Sequence, residues 1–179
     1  MGALERLRRA YLSLLFCALA ASSWAATFPH LELKLLNDTS LTLPDDAHGQ
    51  ATILVIGFSK QAGTNAKPWI DRVTQDFGTY PSCKKYVIAV LADVPLLFRS
   101  FALPGTRNGV PEDKRSSYLV TFSDEKLWEE LVGFQNQDDP YIVGLDRDGS
   151  VITQTNGAFS EKHYQTIAYP IRRGLSQKE

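Results

Sequence analysis

The sequence predicts an α/β fold in which helices alternate with the strands of a mixed sheet. Two apolar runs, residues 51–58 and 86–91, are rich in β-branched side chains, which is typical of strands covered on both faces. Segments with helical periodicity follow these runs, and such alternation produces helical layers on a central sheet. With 179 residues, 44% of them hydrophobic and 22% charged, the chain has the composition of a globular protein rather than a disordered or repetitive one.

The first half of the sequence predicts a hairpin, a buried strand and a helix. Residues 31–36 alternate between apolar and polar side chains, and residues 40–43 provide the return strand after an Asn-Asp turn. After the buried strand, Thr64 or Asn65 is expected to cap a helix that ends at Gly78. The second half predicts one further buried strand, a short helix over 95–102, a long loop over 103–115 and a third strand over 118–122. A helix, a strand over 141–145, an antiparallel return strand and a final helix complete the chain.

The N-terminus has the three-part pattern of a secretory signal. Three arginines lie within the first nine residues, residues 11–21 form an apolar run, and small residues precede the expected cleavage after Ala25. The pattern predicts a signal peptide over 1–25, a mature domain over 26–179 and a periplasmic or secreted location. The apolar run is short for a bilayer span, so no stable span is expected after cleavage, although an uncleaved anchor remains the alternative.

Charge and histidine spacing exclude several functional classes. Without residues 1–25 the chain has 16 basic and 19 acidic side chains, a net charge of −3, and no nucleic-acid partner is expected because phosphate binding requires clustered Lys and Arg. The histidines, at positions 30, 48 and 163, lack metal-ligand spacing, and no nucleotide-binding motif is present. We therefore predict neither a metal site nor a cofactor.

Cysteine usage limits the redox chemistry. The sequence contains Cys17, inside the expected signal, and Cys83, so the mature domain cannot form an internal disulfide. We expect Cys83 to be a buried thiol at the start of a strand. The alternative is a reactive thiol, which would make the protein a single-cysteine oxidoreductase or peroxidase.

The order of elements resembles the thioredoxin-like fold of membrane-tethered thiol reductases and peroxiredoxins. The strand ending at Phe58, the Asp139-Pro140-Tyr141 sequence before a strand, and the Asp-Gly turn at 146–149 carry the resemblance, which extends from about residue 28 to 173. It implies a three-layer sandwich with a central mixed sheet, an N-terminal β-hairpin, and a C-terminal hairpin followed by a helix. It also implies a cis bond before Pro140 and a peptide-binding groove beside it.

The sequence departs from this family at the redox site. Gly63, Thr64, Asn65 and Ala66 stand where the family has its two cysteines. Thiol–disulfide exchange requires a thiolate to attack a disulfide sulfur, so the family's chemistry is expected to be lost and an enzymatic role is disfavoured. Residues 118–146 also resemble the mitochondrial ATP-synthase assembly factors, which have this fold without the cysteine pair and imply a non-catalytic assembly role.

These observations predict an exported, redox-inactive thioredoxin-like protein that binds a protein or peptide or takes part in assembly. The predicted binding residues are Gly63, Thr64, Asn65 and Ala66 together with Asp139, Pro140 and Tyr141. Free backbone N–H groups at residues 63–66 would also suit a small anion, whereas a capped helix facing water is the simpler interpretation. The predicted loop over 103–115, with its basic side chains, is a second expected partner contact.

Overall fold

The computed structural model describes residues 27–176, so the expected signal peptide lies outside the described residues. Seven strands are present in this part of the chain. They are Leu31–Lys34 (β1), Ser40–Leu43 (β2), Ala51–Gly57 (β3), Cys83–Val90 (β4), Tyr118–Thr121 (β5), Tyr141–Leu145 (β6) and Val151–Asn156 (β7). The four α-helices are Lys60–Phe77 (α1), Leu96–Gly109 (α2), Glu125–Val132 (α3) and Glu161–Ser176 (α4), and short 3-10 turns cover Asp45–Ala47 and Glu112–Ser117.

Five strands form a mixed sheet in the order β5-β4-β3-β6-β7. Strands β3, β4 and β5 are parallel, whereas β6 pairs antiparallel with both β3 and β7. The central position of β3 explains its continuous apolar sequence, because both of its edges are paired and both of its faces are covered. Strands β1 and β2 form a separate hairpin, which joins the edge of β5 through a bridge between Leu35 and Leu119.

Two hydrophobic cores lie on opposite faces of the sheet. Helices α1 and α4 cover one face, where Ile53 and Val55 of β3 meet Trp69 and Ile167. The hairpin and α3 cover the other face, where Leu54 of β3 packs in the same cluster as side chains from both elements. This arrangement confirms the predicted α/β three-layer sandwich with its N-terminal hairpin and its C-terminal hairpin and helix.

The turn between β6 and β7 requires glycine at its tip. Gly149 has a φ of 79°, and a Cβ atom built there would lie 2.5 Å from the Cβ of Pro44. The Asp146 carboxylate accepts hydrogen bonds from the amides of Asp148 and Ser150, which closes the turn. The predicted Asp-Gly hairpin turn is therefore confirmed, and it packs against the segment that follows β2.

Two helix boundaries differ from those predicted. Helix α1 begins at Lys60 rather than near Thr64, because the hydroxyl of Ser59 caps it by accepting from the amide of Ala62 at 2.9 Å. Helix α2 continues through Pro104 to Gly109, so most of the predicted loop over 103–115 is helical. An ion pair between Arg107 and Asp38 holds the segment beyond Pro104 against the hairpin, a tertiary contact that the local sequence pattern does not show.

Candidate functional site

The predicted site lies where β3 ends and α1 begins. We call residues 63–66 the slot, because they occupy the positions at which the resemblance places the redox cysteines. Gly63 and Thr64 are exposed, Asn65 is partly exposed, and Ala66 is buried in the core between α1 and the sheet. The slot therefore presents three consecutive residues without ionisable side chains to the surroundings.

The early start of α1 removes the predicted anion site at the slot. The amide of Gly63 donates to the carbonyl of Ser59 at 3.1 Å, and the amides of residues 64–66 lie within the helix, where each is directed to the carbonyl four residues earlier. The Thr64 hydroxyl likewise donates to the carbonyl of Lys60 at 3.2 Å. The expectation of free N–H groups at residues 63–66 was wrong, because the helix N-terminus lies one turn upstream.

The loop before β6 closes over the start of α1. The Ser59 hydroxyl donates to the Asp138 carboxylate at 2.7 Å, and the Asn65 side-chain amide donates to the Asp138 backbone carbonyl at 2.9 Å. Asp138 thus contacts the helix cap and the slot at once. The structure brings the two predicted binding segments, residues 63–66 and 139–141, together, since Asp139 directly follows this contact. The two segments are joined to each other through Asp138 by hydrogen bonds within the protein.

A cluster of three aromatic rings packs at the base of the loop that precedes β6. The ring of Phe58 lies edge-on to those of Phe134 and Tyr141, at centroid distances of 4.9 and 5.6 Å. The Tyr141 hydroxyl accepts from the amides of Gln135 and Asn136 and donates to the Asn136 carbonyl. The loop is therefore held by one buried side chain at its base and by two polar contacts at its tip.

Pro140 differs from the expectation raised by the resemblance. The bond before Pro140 is trans, and the cis bond found in the described chain joins Leu43 to Pro44. Pro140 is buried, and its carbonyl accepts from the amide of Gly157 at 3.0 Å. Of the predicted binding residues, Ala66, Pro140 and Tyr141 are thus buried parts of the framework, while Asp139 is half-buried.

Sequence reasoning missed the two residues that join the halves of the site, Ser59 and Asp138. Ser59 carried a usable signal, because serine directly after a strand is a preferred helix cap. Asp138 carried none, since its contacts lie 73 and 79 residues away along the chain. No group of histidine, cysteine and carboxylate side chains suitable for a metal ion occurs within residues 27–176.

Comparison with solved structures shows what this architecture is. A thiol:disulfide interchange protein of the thioredoxin family from Chlorobium tepidum superposes with a TM-score of 0.58 at 16% identity, covering 87% of this chain and 100% of that chain. The chain has a thioredoxin-like fold. The exposed lipoprotein thioredoxin Etrx1 of Streptococcus pneumoniae has a TM-score of 0.58 at 14% identity, covering 81% of this chain and 99% of its own.

A third similar structure is that of an assembly protein. BsSco, a member of the Sco family of cytochrome c oxidase assembly proteins, superposes with a TM-score of 0.58 at 10% identity, covering 85% of this chain and 95% of that chain. No protein-family model matches the sequence, and no curated protein does. At these identities the similarities establish the thioredoxin-like fold and leave the chemistry to the residues of this chain.

Cys83 lacks the surroundings of a reactive thiol. It is 3% exposed, and burial raises the pKa of its thiol to about 11, which removes almost all thiolate at neutral pH. Cys83 pairs with Ala51 at the beginning of β3, whereas the slot follows Gly57 at the strand's end. The start of β3, where Cys83 lies, and the end of β3, where the slot begins, are six strand residues or ~20 Å apart. The Cys83 sulfur is therefore remote from the slot.

We expect Cys83 to react slowly with thiol reagents in the folded protein. In a Cys17→Ser background, labelling by a chromogenic disulfide at pH 8 should be about a hundredfold slower than in guanidinium chloride, because burial both raises the pKa and blocks access. The Cys83→Ser variant, which has no thiol left to label, gives the background signal of the assay. Equal labelling rates in folded and unfolded protein would show that the Cys83 thiol is accessible and would support the alternative of a single-cysteine oxidoreductase or peroxidase.

Proposed function

We propose that this chain is an exported, redox-inactive thioredoxin-like protein that binds another protein or peptide and serves as a binding or assembly factor. One observation carries the proposal. The end of β3, where the fold's chemistry is expected, has no thiol and is closed by the contacts of Asp138 with Ser59 and Asn65. A site stabilised in this way favours recognition of a surface over covalent exchange.

The surface around the slot suits a polar partner. Lys60, Gln61 and Thr64 are exposed on the first two turns of α1, and Gln137 is exposed on the loop beside them. These side chains supply hydrogen-bond donors and acceptors along a helix whose backbone is already ordered. The partner class is therefore a protein or peptide with a polar, hydrogen-bonding surface.

Three further observations support an assembly role outside the cytoplasm. The N-terminal pattern indicates export, and residues 118–146 resemble the ATP-synthase assembly factors. The structural similarity to BsSco adds an assembly protein with the same fold. These similarities bear on the role by analogy, because one fold hosts many functions. No helix within residues 27–176 combines the length and apolarity needed to cross a bilayer.

The redox half of the proposal is tested by activity assays. Wild type and Cys83→Ser should both fail to reduce insulin with dithiothreitol as the reductant and should both fail to consume peroxide, while a two-cysteine thioredoxin is active in the insulin assay. The physical reason is that the slot contains no thiol and the Cys83 thiol is buried. Activity in wild type that disappears in Cys83→Ser would refute redox inactivity.

The binding half is tested with a matched pair of glycine variants. Gly63 and Gly174 both lie in helices, and a Cβ atom at either meets no atom within 4 Å, so a side chain can be added at either position without a clash at its Cβ. Photocrosslinking from position 61 in the exported fraction should capture a partner with wild type and with Gly174→Arg, but not with Gly63→Arg. Failure to enrich any partner, or equal capture by both variants, would contradict binding at the slot.

A further inference from the structure

The turn between β1 and β2 contains an asparagine in the sequence pattern of an N-glycosylation acceptor. Asn37 is followed by Asp38 and then by Thr39, which gives Asn-X-Thr with a middle residue other than proline. The other asparagines of the chain, at positions 65, 108, 136 and 156, have no serine or threonine two residues later. The pattern therefore occurs once in the sequence and selects one position.

The structure places all three residues of this motif on the surface. Residues 37–39 are exposed and directly follow the buried Leu36, and they reverse the chain between strands whose register pairs Lys34 with Ser40. Asp38 has a φ of 70°, a left-handed conformation that aspartate tolerates in tight turns. A bulky group attached to this turn would lie outside both hydrophobic cores, as a surface modification requires.

The hydrogen bonds of the Asn37 side chain leave free the atom that glycosylation modifies. Its Oδ1 accepts from the amide of Thr39 at 3.2 Å and from the Thr39 hydroxyl. Its Nδ2 amino group donates to no protein atom within residues 27–176. Substitution at Nδ2 therefore breaks no hydrogen bond of the described chain and leaves no buried polar group unsatisfied.

The contacts that hold the turn pass through the neighbours of Asn37. The Asp38 carboxylate forms ion pairs with Lys34 at 3.2 Å and with Arg107 at 2.9 Å. The amide of Leu36 donates to the carbonyl of Tyr118 at 2.8 Å, which joins the hairpin to β5. Because these contacts do not use the Asn37 Nδ2, the hairpin can keep its place when that atom carries an oligosaccharide.

We propose that Asn37 carries an N-linked oligosaccharide in the exported protein. The Asn37 Nδ2 attacks C1 of the first sugar of an oligosaccharide linked to a polyprenyl diphosphate, and a C–N bond forms as the C1–O bond to the diphosphate breaks. The diphosphate leaves with the bonding electron pair, and the nitrogen gives up one proton to a base of the transferase. This proposal rests on the proposed export, because Asn-X-Thr sites are modified in secreted chains.

Peptide mass spectrometry of the exported protein, isolated from its own source, tests the modification directly. The peptide that contains Asn37 should have the mass of an attached oligosaccharide. Peptide N-glycosidase should remove that mass and convert Asn37 to aspartate, whereas Asn108, which is also exposed, should be unmodified before and after treatment. An exported protein with an unmodified Asn37 would overturn the proposal and leave export intact.

Variants of the full chain, expressed in cells that perform N-glycosylation, test the motif. Asn37→Gln and Thr39→Ala should both lose the entire mass of one oligosaccharide, the second without a change in the acceptor residue. Thr39→Ser keeps a hydroxyl and should keep the oligosaccharide, as should Asn108→Gln, which changes an exposed asparagine outside the motif. All four variants alter exposed side chains and should stay folded. An oligosaccharide that persists in Asn37→Gln or Thr39→Ala would overturn the assignment.

A second chain separates failure of the modification from failure of export. In this chain the signal segment of a known secreted protein replaces residues 1–25. Retention of the natural chain in the cell, with an oligosaccharide on Asn37 of the secreted substituted chain, would contradict export and support the acceptor site. Secretion of both chains with an unmodified Asn37 would overturn the acceptor site and support export.

Discussion

Replacement of Trp69 by alanine is expected to lower the free energy of unfolding by about 3–5 kcal/mol, because it opens a large cavity in the core between α1 and the sheet. Trp69 is fully buried, and its ring lies 5.3 Å from that of Phe159 and 6.5 Å from that of Tyr164. Its indole N–H donates to the carbonyl of Gly157 at 3.1 Å. One side chain thus joins α1 to the segment between β7 and α4.

Urea denaturation followed by circular dichroism measures this loss. The variant should shift the midpoint with little change in the dependence of stability on urea, because the surface exposed on unfolding is nearly the same. Tyr169→Ala removes an exposed aromatic side chain and should change stability by no more than about 0.5 kcal/mol. A Trp69→Ala variant as stable as Tyr169→Ala would mean that this core is packed differently.

The sheet could be predicted from the sequence because short local patterns of apolar residues and turn residues indicate its strands and its hairpin turn. Strand β3 is a continuous apolar run, and the turn at Gly149 combines acidic residues with glycine in the order that a tight hairpin needs. These signals span ten residues or fewer, so they do not depend on the rest of the chain. The thioredoxin-like order of elements followed from placing them in sequence.

The start of α1 was misplaced because several residues compete as caps. Ser59, Thr64 and Asn65 are all good caps by type, and local preference does not choose among them. The choice is made by packing, since Ala62 is buried against Gly57, where an added Cβ would lie 3.3 Å from the Ala62 Cβ. The apolar stripe of α1 therefore begins at Ala62, and the two small residues Ala62 and Ala66 made that stripe weak in the sequence.

The surface of α2 and the closure by Asp138 were beyond local reasoning for a different reason. An apolar stretch such as the one around Phe101 normally indicates burial, and only the tertiary arrangement leaves it outside the core. Asp138 meets Ser59 and Asn65 only after the antiparallel pairing of β6 with β3 has brought its loop to the end of β3. The candidate site in this chain therefore depends on long-range contacts, whereas the fold was visible in short local patterns.

Removal of one hydroxyl tests whether those long-range contacts hold the slot closed. Tyr141→Phe is expected to lower the free energy of unfolding by about 1–3 kcal/mol, because the Tyr141 hydroxyl is hydrogen-bonded to the amides of Gln135 and Asn136 and to the Asn136 carbonyl. The ring itself remains in place against Phe58. The loss should therefore fall on the loop more than on the core.

Hydrogen exchange separates this local effect from general destabilisation. The amides of Gln135 and Asn136 should exchange about tenfold faster or more in Tyr141→Phe, since a loss of about 1.4 kcal/mol in a local opening equilibrium is a factor of ten. Tyr164→Phe is the matched control, because it removes another buried hydroxyl, hydrogen-bonded to Asp76 at 2.8 Å on the opposite face of the sheet. It should lower stability without selectively loosening the loop.

The same pair of variants connects the loop to binding. If Asp138 orders the surface that a partner recognises, Tyr141→Phe should weaken crosslinking from position 61, whereas Tyr164→Phe should not, provided that both are compared at a temperature where each stays folded. Faster loop exchange together with unchanged crosslinking would show that the partner contacts α1 alone. Unchanged exchange in Tyr141→Phe would mean that the contacts of Ser59 and Asn65 with Asp138 suffice to hold the loop.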